Sequence, residues 1–256
     1  MKVLMIGDVV GQNGCEYLRQ VLPGFKRRQG IDVCIANGEN CAQGNGITPL
    51  SAEHLFVSGV DFITTGNHAF RRPEMLDMYD SSLSIIRPAN FHRSCPGRGV
   101  GIIDKGSIRL AVINLIGSAY MEPVGNPFDA VDELLKGIDK NIKTVIVDFH
   151  AEATAEKRCM GFYLDGRVTA LVGTHTHVRT ADACILPKGT AYMTDLGMTG
   201  PINSVLGVEP TLAIEKMRTN LPVRFENSDG ECRMEGCLLE IDKSTGRASS
   251  ICGIEL

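Results

Sequence analysis

Two histidines separated by one threonine, His175 and His177, close the stretch TALVGTHTHV after a run of small and β-branched residues. On a helix, positions two apart diverge; in an extended segment they share a face, so the pair is expected to converge on one object just past a strand. Similar groups stand at the ends of other apolar runs. MIGDVVG leaves Asp8 after the first run, IANGENCAQGNG leaves Glu39 and Asn40 after the second, ITTGNHAF leaves Asn67 and His68 after the third, and VIVDFHAEAT ends its run on His150. Two carboxylates, an amide oxygen and three imidazoles suit borderline divalent metals bound through nitrogen and oxygen, and six such groups point to two ions. Taken singly, each has a structural reading: Asp8 as a helix cap, Asn67 in a turn beside Gly66, His150 as a hydrogen-bonded core histidine. Against coincidence, four of the six histidines fall inside short Gly/Asn/Thr-rich motifs. His54 in SAEHLF and His92 in NFHRS lack such surroundings and are assigned to structure.

Strands are needed to deliver these groups to one rim, and the pattern supplies them. Apolar β-like runs at 2–7, 32–36, 60–65, 84–88, 110–117, 144–149 and 169–173 alternate with helical patterns near 13–29, 49–58, 73–80, 127–140 and 152–162. The second helix has clear boundaries, with Thr48 as cap, Pro49 in the first turn and Gly59 after the end. VGIIDKGSIRLAVINLIG, ACILPKGTAYMTDLG and the stretch from Cys232 to Leu256 read as hairpins. The expectation is a layered α/β protein with some antiparallel pairing, folded as one domain over 1–256. In such sheets the strand ends line the ligand crevice.

Composition narrows the ligand. With 256 residues, 43% of them hydrophobic, the chain can bury one sizeable core. A net charge of −4 provides no footprint for polymeric nucleic acid or an anionic membrane; the one basic run, FKRRQ, reads as a solvated helix C-terminus. Nine scattered cysteines, odd in number, fit free thiols in a reducing cytosol, and CRMEGC lacks the second pair that a structural zinc site needs. Met1 runs directly into KVLMIGD, too short an apolar run for a signal peptide, so a soluble, cytoplasmic protein is expected.

The order GD, GEN, GNH, H, GTHTH resembles the calcineurin-like metallophosphoesterase pattern. MIGDVVG, ANGENCAQGNGIT, TTGNH, DFHAEAT, GTHTHV and TDLGMTGP together resemble its YmdB-type branch, from residue 1 to about residue 201. Val10 stands where the wider superfamily has a histidine, and Glu39 stands at the place of the usual bridging aspartate. Both departures resemble that branch.

The resemblance implies the layered fold of the superfamily, with mixed β-sheets flanked by helices, and two metal ions per chain. Iron or manganese is favoured, with zinc or magnesium as alternatives. Glu39 would bridge the ions; Asp8 and His177 would complete one site, Asn67, His150 and His175 the other, with Asn40 at the rim. A hydroxide shared by the ions would attack phosphorus, and His68 would protonate the leaving oxygen. The implied substrates are small cyclic nucleotide phosphodiesters, 2′,3′-cyclic nucleotides in particular. The residues alone reach only a phosphoester hydrolase, leaving open a phosphomonoesterase or a regulatory scaffold that keeps its metals; a homo-oligomer is also compatible. An amidohydrolase-like enzyme would place its His-x-His on the first strand, and GDVVGQNG matches neither dinucleotide fingerprint nor P-loop.

Overall fold

In the first strand, alternate side chains serve two different cores. In this computed structural model, which describes residues 1–256, Val3 and Met5 point into one apolar cluster and Leu4 and Ile6 into another. All four are buried to 1% exposure or less. A strand buried on both faces must lie inside a stack of layers.

The elements follow in the order β1 (Lys2–Val9), α1 (Gly11–Gln29), β2 (Val33–Asn37), α2 (Pro49–Val57), β3 (Phe62–Thr64), a 3₁₀ turn at Pro73–Met75 running into α3 (Leu76–Ser81), β4 (Val100–Asp104), β5 (Arg109–Ile116), α4 (Pro127–Gly137), β6 (Thr144–His150), α5 (Thr154–Leu164), β7 (Ala170–Thr174), β8 (Cys184–Ile185), β9 (Ala191–Met193), β10 (Met198–Pro201), α6 (Pro210–Thr219), β11 (Cys232–Ile241) and β12 (Ala248–Glu255). They build two six-stranded mixed sheets, ordered β12-β11-β10-β1-β2-β3 and β4-β5-β6-β7-β9-β8. The sheets face each other through Val3, Met5, Ile35 and Leu239 from one and Val112, Ile146, Val172 and Met193 from the other. On the outer faces, Leu18 and Leu22 of α1 cover the first sheet, and Val131 of α4 with Met160 of α5 cover the second. At about 1.5–3 kcal/mol per fully buried large side chain, these three clusters are the main stabilising term.

Six of the seven apolar runs form strands, and the three hairpins and the Thr48 cap, which accepts the Ser51 N–H at 3.2 Å, are where the sequence puts them. Three elements differ, one of them β10, a four-residue strand with no apolar run to announce it. Residues 84–88 make only a single parallel bridge, Ile63 to Ile85, because the Arg87 N–H turns to the Arg98 carbonyl and Pro88 has no N–H to offer. Helix α6 lacks an expectation in the sequence reading; it buries only Ala213, so it leaves almost no apolar stripe, although Pro210 in its first turn and Asn220 in the left-handed conformation mark both ends.

The C-terminal ends of β1, β2, β3, β6 and β7 share one edge of the sandwich. At that edge β1 shifts register between Ile6 and Asp8, and Gly7 lies so close to the Gly197 carbonyl that no Cβ fits. The irregularity turns the buried Asp8 carboxylate toward the rim.

Candidate metal centre

Asp8 lies within β1, one residue before its end rather than just past it. Glu39 and Asn40 follow β2, Asn67 and His68 follow β3, and His150 is the last residue of β6. His175 and His177 come after β7, and here the reason for their convergence differs from the expectation. They do not alternate along an extended strand; both have left-handed backbones, with φ of 101° and 62°. For an imidazole-bearing residue this conformation is costly, and it persists only where surrounding contacts impose it.

Around His150 Nε2 stand Glu39 Oε1 at 3.0 Å, Asn67 Oδ1 at 3.0 Å and His175 Nδ1 at 3.1 Å. Ligand atoms of Glu39, His150 and His175 lie within 4.8 Å of one another. Next to this group, the Asn40 amide nitrogen stands 3.3 Å from Asp8 Oδ1, 3.3 Å from Glu39 Oε1 and 3.2 Å from His177 Nε2. Glu39 therefore touches both clusters. The backbone N–H of His175 donates to Asp8 Oδ2 at 3.0 Å, tying the loop after β7 to β1. His68 diverges from its neighbour Asn67: its N–H reaches Glu39 Oε2 at 3.0 Å, and its Nδ1 donates to Asn40 Oδ1 at 2.9 Å.

Each of the three imidazoles has one nitrogen held from outside. His177 Nδ1 donates to the Leu206 carbonyl at 3.0 Å, and His175 Nε2 faces the Glu152 carboxylate at 3.0 Å. His150 Nδ1 meets Thr174 Oγ1 at 2.9 Å; that hydroxyl donates onward to Asp148 Oδ1 at 2.7 Å, so it accepts from the ring. The other nitrogen of each ring is turned into the site, His150 Nε2 to Glu39 and Asn67, His177 Nε2 to Asp8 and Asn40, and His175 Nδ1 to His150 Nε2. This is the tautomer and orientation that metal-ligating histidines need.

Burial and mutual charge set the titration. Burial opposes charge on His177, but the Asp8 carboxylate overrides it and pushes its pKa up to about 9. Burial and the neighbouring His150 push His175 down to about 4. Glu39 is held well below the carboxylate range, since His150 and His68 outweigh its burial.

Sequence reasoning missed a layer beneath these groups. Asp148 accepts from the Thr64 and Thr174 hydroxyls at 2.5 and 2.7 Å. Asn37 accepts the Glu39 N–H at 3.1 Å and directs its amide toward Asp148. The buried pair Lys157–Asp195 braces the loop after β7. A signal existed for Asp148, a carboxylate in the apolar run VIVDFH two residues before His150 and therefore on its face of the strand. Of the two histidines left outside the site, His54 approaches only Glu16 at 3.7 Å and His92 bonds Ser94 at 2.7 Å.

A profile of YmdB-like proteins matches residues 4–254. The chain belongs to the YmdB-like family. It is 44% identical over 251 residues to the 2′,3′-cyclic-nucleotide 2′-phosphodiesterase of Bacillus subtilis (strain 168), covering 98% of this chain and 95% of that protein. A solved structure described as a novel phosphatase, from Mycoplasma pneumoniae, matches at TM-score 0.94 and 33% identity over 100% of this chain and 93% of its own. A putative 5′-nucleotidase from Staphylococcus aureus shares the fold alone, at TM-score 0.59 and 14% identity over 99% of this chain and 54% of its own. The layered α/β fold expected from the resemblance is thus the fold of this YmdB-like chain. No helix is long and apolar enough to cross a membrane.

Proposed function

We propose that this chain is a dinuclear-metal phosphodiesterase that opens 2′,3′-cyclic nucleotides, a small substrate. One observation carries the reading: three imidazoles, each held on its outer nitrogen, turn their inner nitrogens into a site formed by the buried carboxylates of Asp8 and Glu39, the buried amide of Asn40 and the half-buried amide of Asn67. The name of the Bacillus subtilis relative, a 2′,3′-cyclic-nucleotide 2′-phosphodiesterase, supports the choice of substrate.

The donor set fits two ions of the iron or manganese kind, with mixed nitrogen and oxygen ligation. Asp8, Asn40, His177 and Glu39 would hold one; Asn67, His150, His175 and Glu39 would hold the other. When bound, such ions supply Lewis acidity toward phosphoryl oxygens and lower the pKa of water. The remaining work falls to the chain. Glu39 places one carboxylate between the two clusters and offsets their positive charge. Asp148, through Thr174, fixes the His150 ring so that Nε2 faces inward. His68, whose Nδ1 is engaged by Asn40, offers its other nitrogen to the substrate, where it protonates the departing ribose oxygen. Residues 1–256 act as a single domain, and nine free cysteines support a cytoplasmic setting.

The test is metal analysis of protein purified without chelator, beside a panel of cyclic and linear diesters and monoesters. About two transition-metal ions per chain and a preference for the 2′,3′-cyclic diester are expected. In Glu39→Gln, metal content and turnover should fall together, whereas His54→Gln should change neither. Metals without diester turnover would favour a scaffold, and a preference for monoesters would favour a phosphomonoesterase.

A further inference from the structure

A cleft of about 930 Å³ is walled in part by segments that also carry site residues. Arg71 donates its N–H to the His68 carbonyl at 3.0 Å. Gln43 to Asn45 lie on the loop that follows Asn40. Asn227 packs so closely on Gly11 that no Cβ fits there, and the Gly11 N–H binds the Asn40 carbonyl at 2.9 Å. Ser228 bonds Gly207, the neighbour of the Leu206 whose carbonyl holds His177.

The lining has the chemistry of a nucleotide subsite. Arg72 is committed to the loop, with Nε donating to the Asn45 carbonyl at 3.0 Å, but the Arg71 and Arg224 guanidiniums have no partner within the chain. Three arginines against Glu226 and Asp229 leave the wall at +1, on a chain whose net charge is −4. Phe225 adds an aromatic face that is 47% exposed. The position is right as well. If His68 protonates the leaving oxygen, the ribose bearing that oxygen must lie on the His68 side, where the wall begins three residues further on.

We propose that this cleft is the nucleoside subsite, with the base stacked on Phe225 and the Arg71 and Arg224 guanidiniums facing the phosphate and the π-face of the base. This assignment rests on the phosphodiesterase reading and deepens it. Stacking tolerates any base, so the site accepts purine and pyrimidine nucleotides alike, purines better because their stacking surface is larger.

The experiment compares kcat/KM for 2′,3′-cyclic AMP with that for ethylene phosphate, which has the same five-membered phosphodiester ring but no nucleoside. Any loss of metal or of folded protein affects both substrates and cancels in the ratio. Phe225→Ala should cut the ratio by about 10-fold or more, through KM, and Phe225→Tyr should restore it. Arg224→Gln, on the same wall, should cut it severalfold and provides a second readout. A ratio unchanged in both Phe225→Ala and Arg224→Gln would overturn the subsite while leaving the proposed reaction intact. A wild-type protein that opens ethylene phosphate no less efficiently than the nucleotide would overturn the subsite too. Wild-type protein inert on both diesters would instead remove the phosphodiesterase reading itself.

Discussion

The ammonium of Lys157 lies 2.6 Å from Asp195 Oδ2, with both side chains at 1% exposure or less. From that position Lys157 also donates to the Thr174 carbonyl at 2.8 Å, and Asp195 Oδ2 accepts the Thr176 N–H at 3.1 Å. The pair therefore grips the backbone on both sides of His175, whose φ of 101° is the costly feature of the loop. The left-handed turn that aims His175 and His177 is imposed from beneath by a buried ion pair.

Removing one partner of such a pair typically costs about 3–5 kcal/mol, because the other charge stays buried alone. Lys157→Met should accordingly lower the melting temperature by roughly 6–20 °C, at about 2–4 °C per kcal/mol. It should also weaken metal binding, since the histidine loop loses its brace. The double variant Lys157→Met/Asp195→Leu should recover part of the stability but not the metal affinity. Scanning calorimetry and metal titration measure the two effects separately. Metal affinity preserved in Lys157→Met would show that the pair stabilises the fold without shaping the loop.

Gly66 provides a second lever. A Cβ there would collide with the Glu39 carboxylate and the His150 ring, while the backbone angle of Gly66 is not one that excludes alanine. Gly66→Ala should thus fold normally and lose metal, with affinity reduced about 10-fold or more as Glu39 and His150 are forced apart. Gly137→Ala, where a Cβ meets nothing within 4 Å, is the control. Circular dichroism with metal analysis decides the matter: equal metal content in the two variants would contradict the crowding at Gly66.

The sequence made the rim legible because its groups sit in short motifs at strand ends, where one residue type fixes both position and chemistry. Asp8, Glu39, Asn40, Asn67, His68, His150, His175 and His177 could be collected that way, and the structure brings all eight within contact of one another's neighbours. What supports them was less visible. Lys157 lies on α5, in a helical pattern where a lysine ordinarily reads as solvated, and only the tertiary fold buries it against Asp195. Phe225 and Arg224 belong to an irregular segment with no period to read. Nor could the alternation rule foresee the loop after β7, since the left-handed angles of His175 and His177 depend on contacts distant in the chain.

Metal uptake should release protons. His177 is pushed up to about 9 by Asp8, so in metal-free protein at pH 7 it carries a proton that an ion bound at Nε2 must displace. A group with a raised pKa opposes metal binding below that pKa, so affinity should rise with pH, by up to about tenfold per unit from this group, and level off above about 9. His175, pushed down to about 4, is already neutral and adds nothing at pH 7. Calorimetric titration with Mn²⁺ at pH 7, in buffers of different ionisation enthalpy, should give at least one proton per chain, declining toward pH 9. Uptake without proton release at pH 7 would exclude His177 as a ligand.

His68 separates chemistry from binding. Its ring bonds Asn40 and Glu39, but it diverges from Asn67, and its side chain keeps 23% of its surface exposed. His68→Ala should therefore retain both metals. A positioned acid contributes about 10²–10⁴-fold, and only where the leaving group is poor. The loss should be of that size on a 2′,3′-cyclic nucleotide, whose leaving group is a ribose hydroxyl. It should be far smaller on a p-nitrophenyl phosphodiester, because the phenolate departs without a proton. Equal losses on the two substrates would mean that His68 positions the substrate or stabilises transition-state charge, and a fall in metal content would make it a ligand. Undiminished opening of the cyclic nucleotide would exclude it from the reaction altogether.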